Sequence, residues 1–474
     1  MAEPVILWLR RDLRLSDHPA LEAARGRPIV PVFVWSPEEE GVWPPGAASR
    51  WWLHHSLTAL DRDLRKRGSR LIVRRGPASA ALADLVRETG ACAVHWHRRY
   101  EPWASAQEAS VERALTAMGC RARAFDGLLL TPPDSLFNAS ARPFQVFTPF
   151  YRSLVQQLSA HRLTPAPSPP ARLAPVPPEI GSLPLKELGL LPNIPWDRQF
   201  RELWRPGETG AQERLRLFLK DRLRTYAADR DRPDLDGVSR LSPHLHFGEI
   251  SPRQVWHAAH GLPGADAFLR QLVWREFSYH LLHHFPHTPS EPLRSVFAAF
   301  PWQTDPDALR MWQQGRTGYP IVDAGMRQLW AIGWMHNRVR MLVASFLTKD
   351  LLIPWQEGAR WFWDTLVDAD LANNTQGWQW TAGCGADAAP YFRIFNPVTQ
   401  GMKFDPDGAY VRRWVPELAC MPSAWIHRPW EAPQEVLAAS GVVLGDTYPN
   451  PIVDHAIARQ RALQAYAELR RRYS

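Results

Sequence analysis

The first 130 residues alternate short apolar runs with amphipathic segments, and this alternation constrains the fold more than any other feature of the chain. Five apolar runs predict buried strands, at residues 5–9, 29–35, 71–74, 93–96 and 122–125. The helical patterns between them lie at residues 47–66, 78–87 and 104–118. Strands that alternate with helices predict a doubly wound parallel sheet, so residues 1–130 are expected to form an α/β domain. No GxGxxG motif follows the first run, which argues against a dinucleotide at this sheet.

A proline-rich segment follows this domain. Residues 164–184 read TPAPSPPARLAPVPPEIGSLP. This composition excludes a helix or a central strand, so residues 131–205 are expected to connect two domains. From residue 206 onward the apolar spacing is helical almost without interruption, which predicts an all-helical domain at 206–474.

Charge and cysteine content narrow the class of protein. The chain of 474 residues carries 56 Lys and Arg against 48 Asp and Glu, a net charge of +8 with a pI near 9.5, which favours a polyanionic partner. Its four cysteines form no CxxC pair and no zinc spacing, so we expect no metal, free thiols and a cytoplasmic location. The first apolar run precedes an Arg pair, the reverse of a secretory signal, and no run of eighteen apolar residues predicts a membrane span.

One segment combines polar and aromatic residues in an unusual way. Asp368 and Asp370 are followed by Asn374 and then by Trp378 and Trp380. Carboxylates and amides are costly to bury unless they are hydrogen-bonded, so a polar ligand with many donors and acceptors is a natural partner. A capped, solvated loop between two core helices would have the same composition.

Other polar positions in the helical region also allow two interpretations. Ser239, Arg240 and Ser242 precede proline-punctuated helices, where hydroxyls either meet a phosphate or act as ordinary caps. One helix face, which is either a cavity wall or a solvated surface, carries Gln271, Trp274, Arg275 and Ser278.

An apolar stripe precedes these positions. Leu215, Phe218 and Leu223 follow helical spacing that continues to Tyr226, so we expect Tyr226 at the foot of that helix.

The string DADLANN..GWQW, followed by APYFRIFNP, resembles the flavin-binding signature of the photolyase and cryptochrome family, and WLRRDLRLSDHPAL at 8–21 resembles the start of that family. The resemblance implies an antenna domain followed by a helical domain that binds FAD. Val238 stands where the family commonly has threonine. The positions that match the family's FAD pocket are Tyr226, Val238, Ser239, Arg240, Leu241, Ser242, Trp274, Arg275, Arg340, Asp368, Asp370 and Asn374.

The resemblance also implies an activity, the light-driven splitting of cyclobutane pyrimidine dimers in damaged DNA by an electron from reduced FAD. Asn374 would face the proton-accepting ring nitrogen of the flavin, and Trp302, Trp355 and Trp378 would pass electrons to it. Asn337 and Met341 resemble the branch that repairs cyclobutane dimers. We expect a monomer whose DNA-binding residues are Arg230, Trp274, Asn337, Arg338, Trp380, Gln400 and Lys403.

Gln271 departs from the family pattern, because the repair enzymes usually carry glutamate there. A carboxamide donates a hydrogen bond to a pyrimidine carbonyl but cannot transfer a proton. The alternative is therefore a cryptochrome-like blue-light receptor with weak or no repair, although no long tail follows the last helical pattern, at 451–474.

The resemblance implies a second, antenna chromophore as well. We expect methenyltetrahydrofolate. A deazaflavin or a second flavin also occurs in the family, and the residues that do not decide among them are Trp8, Tyr100, Glu101 and Trp103.

Overall fold

The computed structural model describes residues 3–160, 168, 170–391 and 393–473. The chain divides into two compact units, each built from three segments. Unit 1 comprises Met1–Arg224, Ser239–Pro286 and Val367–Ala372. Unit 2 comprises Thr225–Val238, His287–Leu366 and Asn373–Ser474. The domain bounds expected from the sequence, 1–130, 131–205 and 206–474, stay predictions.

Unit 1 contains the predicted parallel sheet. Its strands are β1 (Val5–Leu9), β2 (Ile29–Trp35), β3 (Ile72–Arg75), β4 (Ala93–His97) and β5 (Arg121–Phe125). Their order is β3-β2-β1-β4-β5 and every pair is parallel, so the order reverses at β1, as in a doubly wound fold. The prediction of this sheet is confirmed, with β1 and β2 at the expected residues.

Burial explains why the strands could be predicted from the sequence. Every residue of β1, β2 and β4 is buried, because helices cover both faces of a parallel sheet, and such strands consist of continuous apolar runs. Ile6, Trp8, Val94 and Trp96 belong to one core cluster. In contrast, β5 lies at the edge and has no fully buried residue.

The described residues form twenty α-helices. The first ten are α1 (Pro19–Glu22), α2 (Ala47–Arg65), α3 (Ala78–Thr89), α4 (Pro102–Ala117), α5 (Phe147–Ala160), α6 (Arg198–Leu203), α7 (Glu208–Asp221), α8 (Tyr226–Asp229), α9 (Ser242–His246) and α10 (Pro252–Ala259). The others are α11 (Ala265–His284), α12 (Pro306–Gln313), α13 (Pro320–Ile332), α14 (Asn337–Ser345), α15 (Trp355–Thr365), α16 (Leu371–Ala382), α17 (Pro397–Phe404), α18 (Ala409–Trp414), α19 (Gln434–Ala439) and α20 (His455–Tyr473). A π-helical turn, Phe346–Asp350, follows α14. None of the helices in the described ranges has the length and apolarity to cross a membrane.

The expected helix that ends at Tyr226 is wrong in its bounds. Helix α7 ends at Asp221, and the amides of Arg222 and Leu223 both donate to the carbonyl of Phe218, which closes the last turn. Tyr226 instead begins α8. The apolar spacing continued across the break because Leu223 and Tyr226 are each buried on their own.

The described part of the proline-rich segment runs along the edge of the sheet. Leu173 donates its amide to the carbonyl of Arg67, and Leu183 donates to the carbonyl of Val73 in β3. The hydroxyl of Ser182 accepts from the amide of Val73 at 3.0 Å. This contact covers an edge strand that would otherwise expose unpaired backbone groups. Residues 164–167 and 169 of the segment lie outside the described residues.

Candidate functional site

The Ser-Arg-Leu-Ser loop of unit 1 directly contacts the first aspartate of the polar segment. The hydroxyl of Ser242 donates to Oδ2 of Asp368 at 2.6 Å. The amide of Leu241 donates to Oγ of Ser239 at 3.4 Å. Arg240 has φ 51°, in the left-handed region, which costs a non-glycine residue about 1–3 kcal/mol and is typical of functional loops.

The second aspartate is a buried anion with two unpredicted partners. Tyr279 donates its hydroxyl to Oδ2 of Asp370 at 2.5 Å, and Nδ1 of His246 lies 3.3 Å from the same oxygen. Burial alone would raise the pKa of Asp370, but the hydrogen bond and charge of His246, together with the charge of Arg275, hold it well below its usual range. The sequence could have indicated Tyr279 as a site residue, since it lies one turn after Arg275 on α11.

Helix α11 carries the predicted polar face, which is only partly exposed. Trp274 stacks on Phe147 with ring centroids 3.6 Å apart and planes 3° from parallel. Nε2 of Gln271 donates to the carbonyl of Ala267 at 3.2 Å. Arg275 donates to the carbonyl of Leu128 at 3.0 Å.

The acid beside Arg275 is Glu276, which accepts from the amide of Leu130 at 2.8 Å. Burial raises the pKa of Glu276 to about 7, despite the opposing charge of Arg275. The polar face of α11 therefore adjoins a carboxyl group that titrates near neutral pH.

The remaining flavin candidates belong to unit 2. Tyr226 is buried, and burial raises the pKa of its hydroxyl. Val238 is half-buried at the end of the same segment. Nε of Arg340 donates to the carbonyl of Met335 at 2.8 Å. Nδ2 of Asn374 donates to the carbonyl of Ala359 at 3.0 Å, which fixes the carboxamide against α15.

The three relay candidates are also in unit 2. Trp378 is buried, and a Cβ added to Gly358 would lie 2.0 Å from its ring. Gly358 follows Trp355 by one turn of α15, so the two residues lie on the same face of that helix. The ring of Trp378, from α16, packs against this face. The amide next to Trp302, that of Gln303, donates to the carbonyl of Leu352 at 2.8 Å, which holds Trp302 beside the segment that leads into α15.

The three predicted DNA-binding cations form one cluster in unit 2. Arg338 pairs with Asp231 at 2.7 Å, and Arg230 lies 3.9 Å from the same carboxylate. The guanidinium of Arg338 lies 4.4 Å and the ammonium of Lys403 5.2 Å from the ring centroid of Phe404. Asp231 and Phe404, which organise this cluster, were missed from the sequence, although each directly follows a predicted residue.

The other DNA-binding candidates are placed differently. Gln400 precedes Phe404 by one turn of α17 and shares its face. Asn337 is exposed at the start of α14, where its Nδ2 lies 3.9 Å from Sδ of Met341. Trp380 is half-buried on α16, and its carbonyl accepts from the amide of Ala389 at 3.2 Å. In the described part of the chain no contact joins its ring to the cation cluster.

The carboxyl ends of β1, β2 and β4 in unit 1 are occupied by ion pairs. Arg99 is buried between Glu40 at 2.7 Å and Glu101 at 3.0 Å. Arg11 pairs with Glu101 at 2.8 Å, and Nε1 of Trp103 donates to Glu40 at 2.9 Å. Burial alone would raise the pKa of Glu101, but the charges of Arg99 and Arg11 hold it at about 2. Charged side chains therefore lie at the crevice in which doubly wound sheets usually bind ligands.

One buried group in unit 1 has the spacing of a metal site. Asp12, His18 and His97 bring ligand atoms within 4.8 Å of one another. However, Nδ1 of His18 accepts from the amide of Leu21 at 3.1 Å, so its ring proton sits on Nε2, which lies 3.0 Å from Asp12. Binding a metal through Nε2 would move this proton to Nδ1 and break the hydrogen bond from Leu21. We assign the group as a carboxylate held by two imidazoles.

Comparison with known families agrees with this arrangement. Residues 5–171 match a family model described as DNA photolyase, and residues 268–468 match one described as the FAD binding domain of DNA photolyase. Together with the doubly wound sheet and the helical region, these matches define a flavoprotein with a photolyase-type FAD domain. The chain belongs to the photolyase and cryptochrome family.

Individual relatives cover nearly the whole chain. A deoxyribodipyrimidine photo-lyase of Agrobacterium fabrum is 50% identical over 99% of this chain and 98% of its own length. Cryptochrome-2 of Arabidopsis thaliana is 40% identical over 99% of this chain and 80% of its own length. The crystal structure of a bacterial class III photolyase from Agrobacterium tumefaciens superimposes with a TM-score of 0.95 at 49% identity, covering 99% of this chain and 98% of that one.

Proposed function

We propose that this chain is a deoxyribodipyrimidine photo-lyase, which uses blue light to split cyclobutane pyrimidine dimers in DNA. The observation that carries the proposal is the end-to-end likeness to a photo-lyase. Asn337 and Met341 occupy the positions that resemble the cyclobutane-dimer branch. DNA is the proposed partner, and the chain is proposed to act on it as a monomer. All four cysteines are free thiols, which supports a cytoplasmic location.

The polar residues suit FAD. Ser239, Arg240 and Ser242 offer hydroxyls and a guanidinium of the kind that hold a diphosphate, and Asp368 is already oriented by Ser242. The buried anion Asp370 is an acceptor for ligand hydroxyls or amines. Asn374, fixed by Ala359, offers a neutral carboxamide to the flavin ring. When bound and reduced, FAD supplies the electron that splits the dimer and takes it back afterwards.

The chain's own residues have separate tasks. Trp302, Trp355 and Trp378 pass an electron from the surface to the flavin before repair. Arg230, Arg338 and Lys403 hold DNA phosphates, which bind guanidinium and ammonium groups without regard to sequence. Trp274 offers an aromatic face to the extruded pyrimidines, and Gln271 donates its amide to a pyrimidine carbonyl. Because a carboxamide has no transferable proton, Gln271 stabilises the charge that develops after electron arrival less well than a carboxylic acid would.

Methenyltetrahydrofolate is the proposed antenna. The buried ion pairs of Arg99 with Glu40 and Glu101 lie at the crevice of the sheet, so a second flavin or a deazaflavin that displaced them would break a charged network. A pterin bound elsewhere avoids the cost of breaking this buried network. Chromophore extraction and mass spectrometry of the purified protein test the identity.

A second function is a cryptochrome-like photoreceptor. Gln271 favours it, as does the likeness to Cryptochrome-2. The two functions differ in whether dimers are split, since both photoreduce the flavin.

The deciding experiment measures light-dependent repair of an oligonucleotide that contains one cyclobutane dimer, with a dark control. We expect the parent chain to repair it and Gln271→Glu to raise the yield several-fold with little change in affinity, because the carboxyl acts on the step after electron arrival. Equal, efficient repair by both proteins means that the amide suffices. Photoreduction without repair in both proteins rejects the enzyme and supports the photoreceptor.

A further inference from the structure

Near the edge strand β5 of unit 1, one face of the sheet is covered by a short helix. On the opposite face, α4 and the core cover Ala122 and Ala124. On the thinly covered face lie Arg121 and Arg123, which are exposed, and Phe125, which is half-buried; they alternate with the alanines. Helix α1, which is four residues long, packs over β4 and β5 on this face. A cleft of about 800 Å³ opens at the amino ends of β1, β4 and β5, and it extends around the edge of the sheet, because Glu112 and Thr116 of α4 also line it.

The floor of this cleft is set by the strand register. Across the sheet, Val5 of β1 pairs with Ala93 of β4, and Ala93 pairs with Arg121 of β5. In this cross-strand row, two apolar residues therefore lie next to a guanidinium group. In the neighbouring row His95 pairs with Arg123. Arg121 and Arg123 are about 7 Å apart along the strand, and both project from the same face. The cleft thus has a small apolar floor, since Val5 and Ala93 are almost fully buried, and a wall of exposed arginines.

A third arginine reaches the cleft from the loop after α1. Nη1 of Arg27 lies 2.9 Å from Sγ of Cys92, and Nη2 of Arg121 lies 3.7 Å from the same sulfur. Burial lowers the pKa of His95, and the charges of Arg123, Arg121 and Arg27 lower it further. All three guanidinium groups are therefore close enough to His95 to affect its charge.

None of these three arginines has an ion-pair partner in the described part of the chain. Other surface arginines of unit 1 do: Arg65 pairs with Asp61 at 2.7 Å, and Arg87 pairs with Asp84 at 2.6 Å. One carboxylate, Glu112, lines the cleft, which leaves a positive excess against the three arginines. Guanidinium groups bind phosphate through two parallel hydrogen bonds, more specifically than an ammonium does.

We propose that this cleft binds a nucleoside diphosphate or triphosphate, with the phosphates on Arg27, Arg121 and Arg123 and the base on the apolar floor. The volume falls within the usual range for small-molecule sites. The site lies at the amino ends of the strands, whereas the ion-pair network of Arg99 lies at their carboxyl ends. It is independent of dimer repair, so the two proposals fail or succeed separately.

The test uses the flavin-loaded full-length chain and isothermal titration with ADP, pyrophosphate, adenosine and a short oligothymidylate. ADP is expected to bind, pyrophosphate to bind more weakly and adenosine not to bind measurably. The double variant Arg121→Gln/Arg123→Gln should weaken ADP binding at least tenfold. The matched control, Arg65→Gln/Arg87→Gln, removes the same charge from α2 and α3 and should stay within twofold of the parent. Arg27→Gln provides a single-site check if the double variant does not fold.

Cys92 supplies a second, chemical readout. Its alkylation by iodoacetamide, measured by peptide mass spectrometry, should slow when ADP is bound, because the ligand lies against the two arginines that contact the sulfur. Alkylation of the exposed Cys420 should not change. Absence of ADP binding, equal binding by the double variant, or protection of Cys92 by the oligonucleotide alone would overturn the proposal.

Discussion

Asp370 shows how a single side chain acquires its character from distant parts of the chain. Its carboxylate is buried, a position that would neutralise an isolated acid, yet His246 and Tyr279 keep it ionised. A fixed negative charge attracts the hydroxyls or amines of a polar ligand, whereas hydroxyls and a guanidinium in the same site attract its phosphates. For this reason replacing Asp370 would be expected to affect flavin content before it affects photochemistry.

Trp378 permits a clean test of the proposed relay. Its ring is buried against Phe362, with centroids 5.0 Å apart, and its Nε1 has no hydrogen-bond partner among the described residues. Trp378→Phe therefore loses no hydrogen bond and keeps much of the packing, but phenylalanine is far harder to oxidise. We expect flavin content to be retained and photoreduction under blue light with an external reductant to fall at least tenfold, followed by flavin absorbance. Unchanged photoreduction would mean that the three indoles serve only as core.

Glu276 makes stability depend on pH. Its pKa is raised from 4.5 to about 7 in the folded chain, so the native state holds the proton more tightly than the unfolded state. This contribution to stability is complete below pH 4.5 and is lost as the pH rises through about 7. Relative to Glu276→Gln, the free energy of unfolding of the parent should fall by roughly 2–3 kcal/mol across that window.

Urea unfolding of both proteins across this pH range measures the difference. Glutamine can still accept from the amide of Leu130, so the variant keeps that bond. Glu187→Gln, at an exposed position, is the control and should follow the parent. Parallel curves for the parent and Glu276→Gln would contradict the assignment.

At the scale of elements, the contact between α15 and α16 positions Trp378. Gly358 on α15 lies flush against the ring of Trp378, whereas Gly377 on α16 has no atom within 4 Å of an added Cβ. Close packing therefore requires glycine at position 358, whereas position 377 has room for a larger side chain.

This difference predicts opposite effects of the same substitution. Gly358→Ala places a methyl 2.0 Å from the ring, so it should destabilise the chain by about 1–3 kcal/mol and slow photoreduction by displacing Trp378. Gly377→Ala should stabilise the chain by about 0.5–1 kcal/mol through helix propensity and leave photoreduction intact. Thermal unfolding and photoreduction rates measure both. Equal effects of the two changes would show that α15 and α16 are not packed as described.

At the scale of the whole molecule, the net charge of +8 favours nucleic acid, but the proposed contacts concentrate at a few residues. Arg230, Arg338 and Lys403 meet around Asp231 and Phe404 within unit 2. Their local arrangement, more than the total charge, is expected to determine how the chain binds phosphates.

Removing one of these cations should change the salt dependence of DNA binding. Arg338→Ala should weaken binding to damaged and undamaged DNA alike, about tenfold at low salt, and reduce the slope of log K against log salt by about 1. Fluorescence anisotropy with labelled duplexes at several salt concentrations measures both quantities. Arg360→Ala, which removes an exposed arginine paired with Glu357, is the control. If both variants retain the parent slope, the phosphates bind elsewhere.

The sequence by itself determined the sheet and the family. The strands β1, β2 and β4 were legible because a parallel strand buried on both faces must be apolar at every position. The flavin motif was legible because its residue types are unusual and ordered. Both signals are local in the sequence, so they can be recognised without knowing which elements pack together in the fold.

Only the tertiary structure decided the partners of the charged groups. His246 and Tyr279 lie 124 and 91 residues from Asp370, and Asp231 lies 107 residues from Arg338. The break between α7 and α8 was hidden for a related reason, since Leu223 and Tyr226 are buried on either side of it. Burial creates an apolar pattern whether or not the helix continues, and a charge acquires its pKa from neighbours that sequence spacing does not reveal.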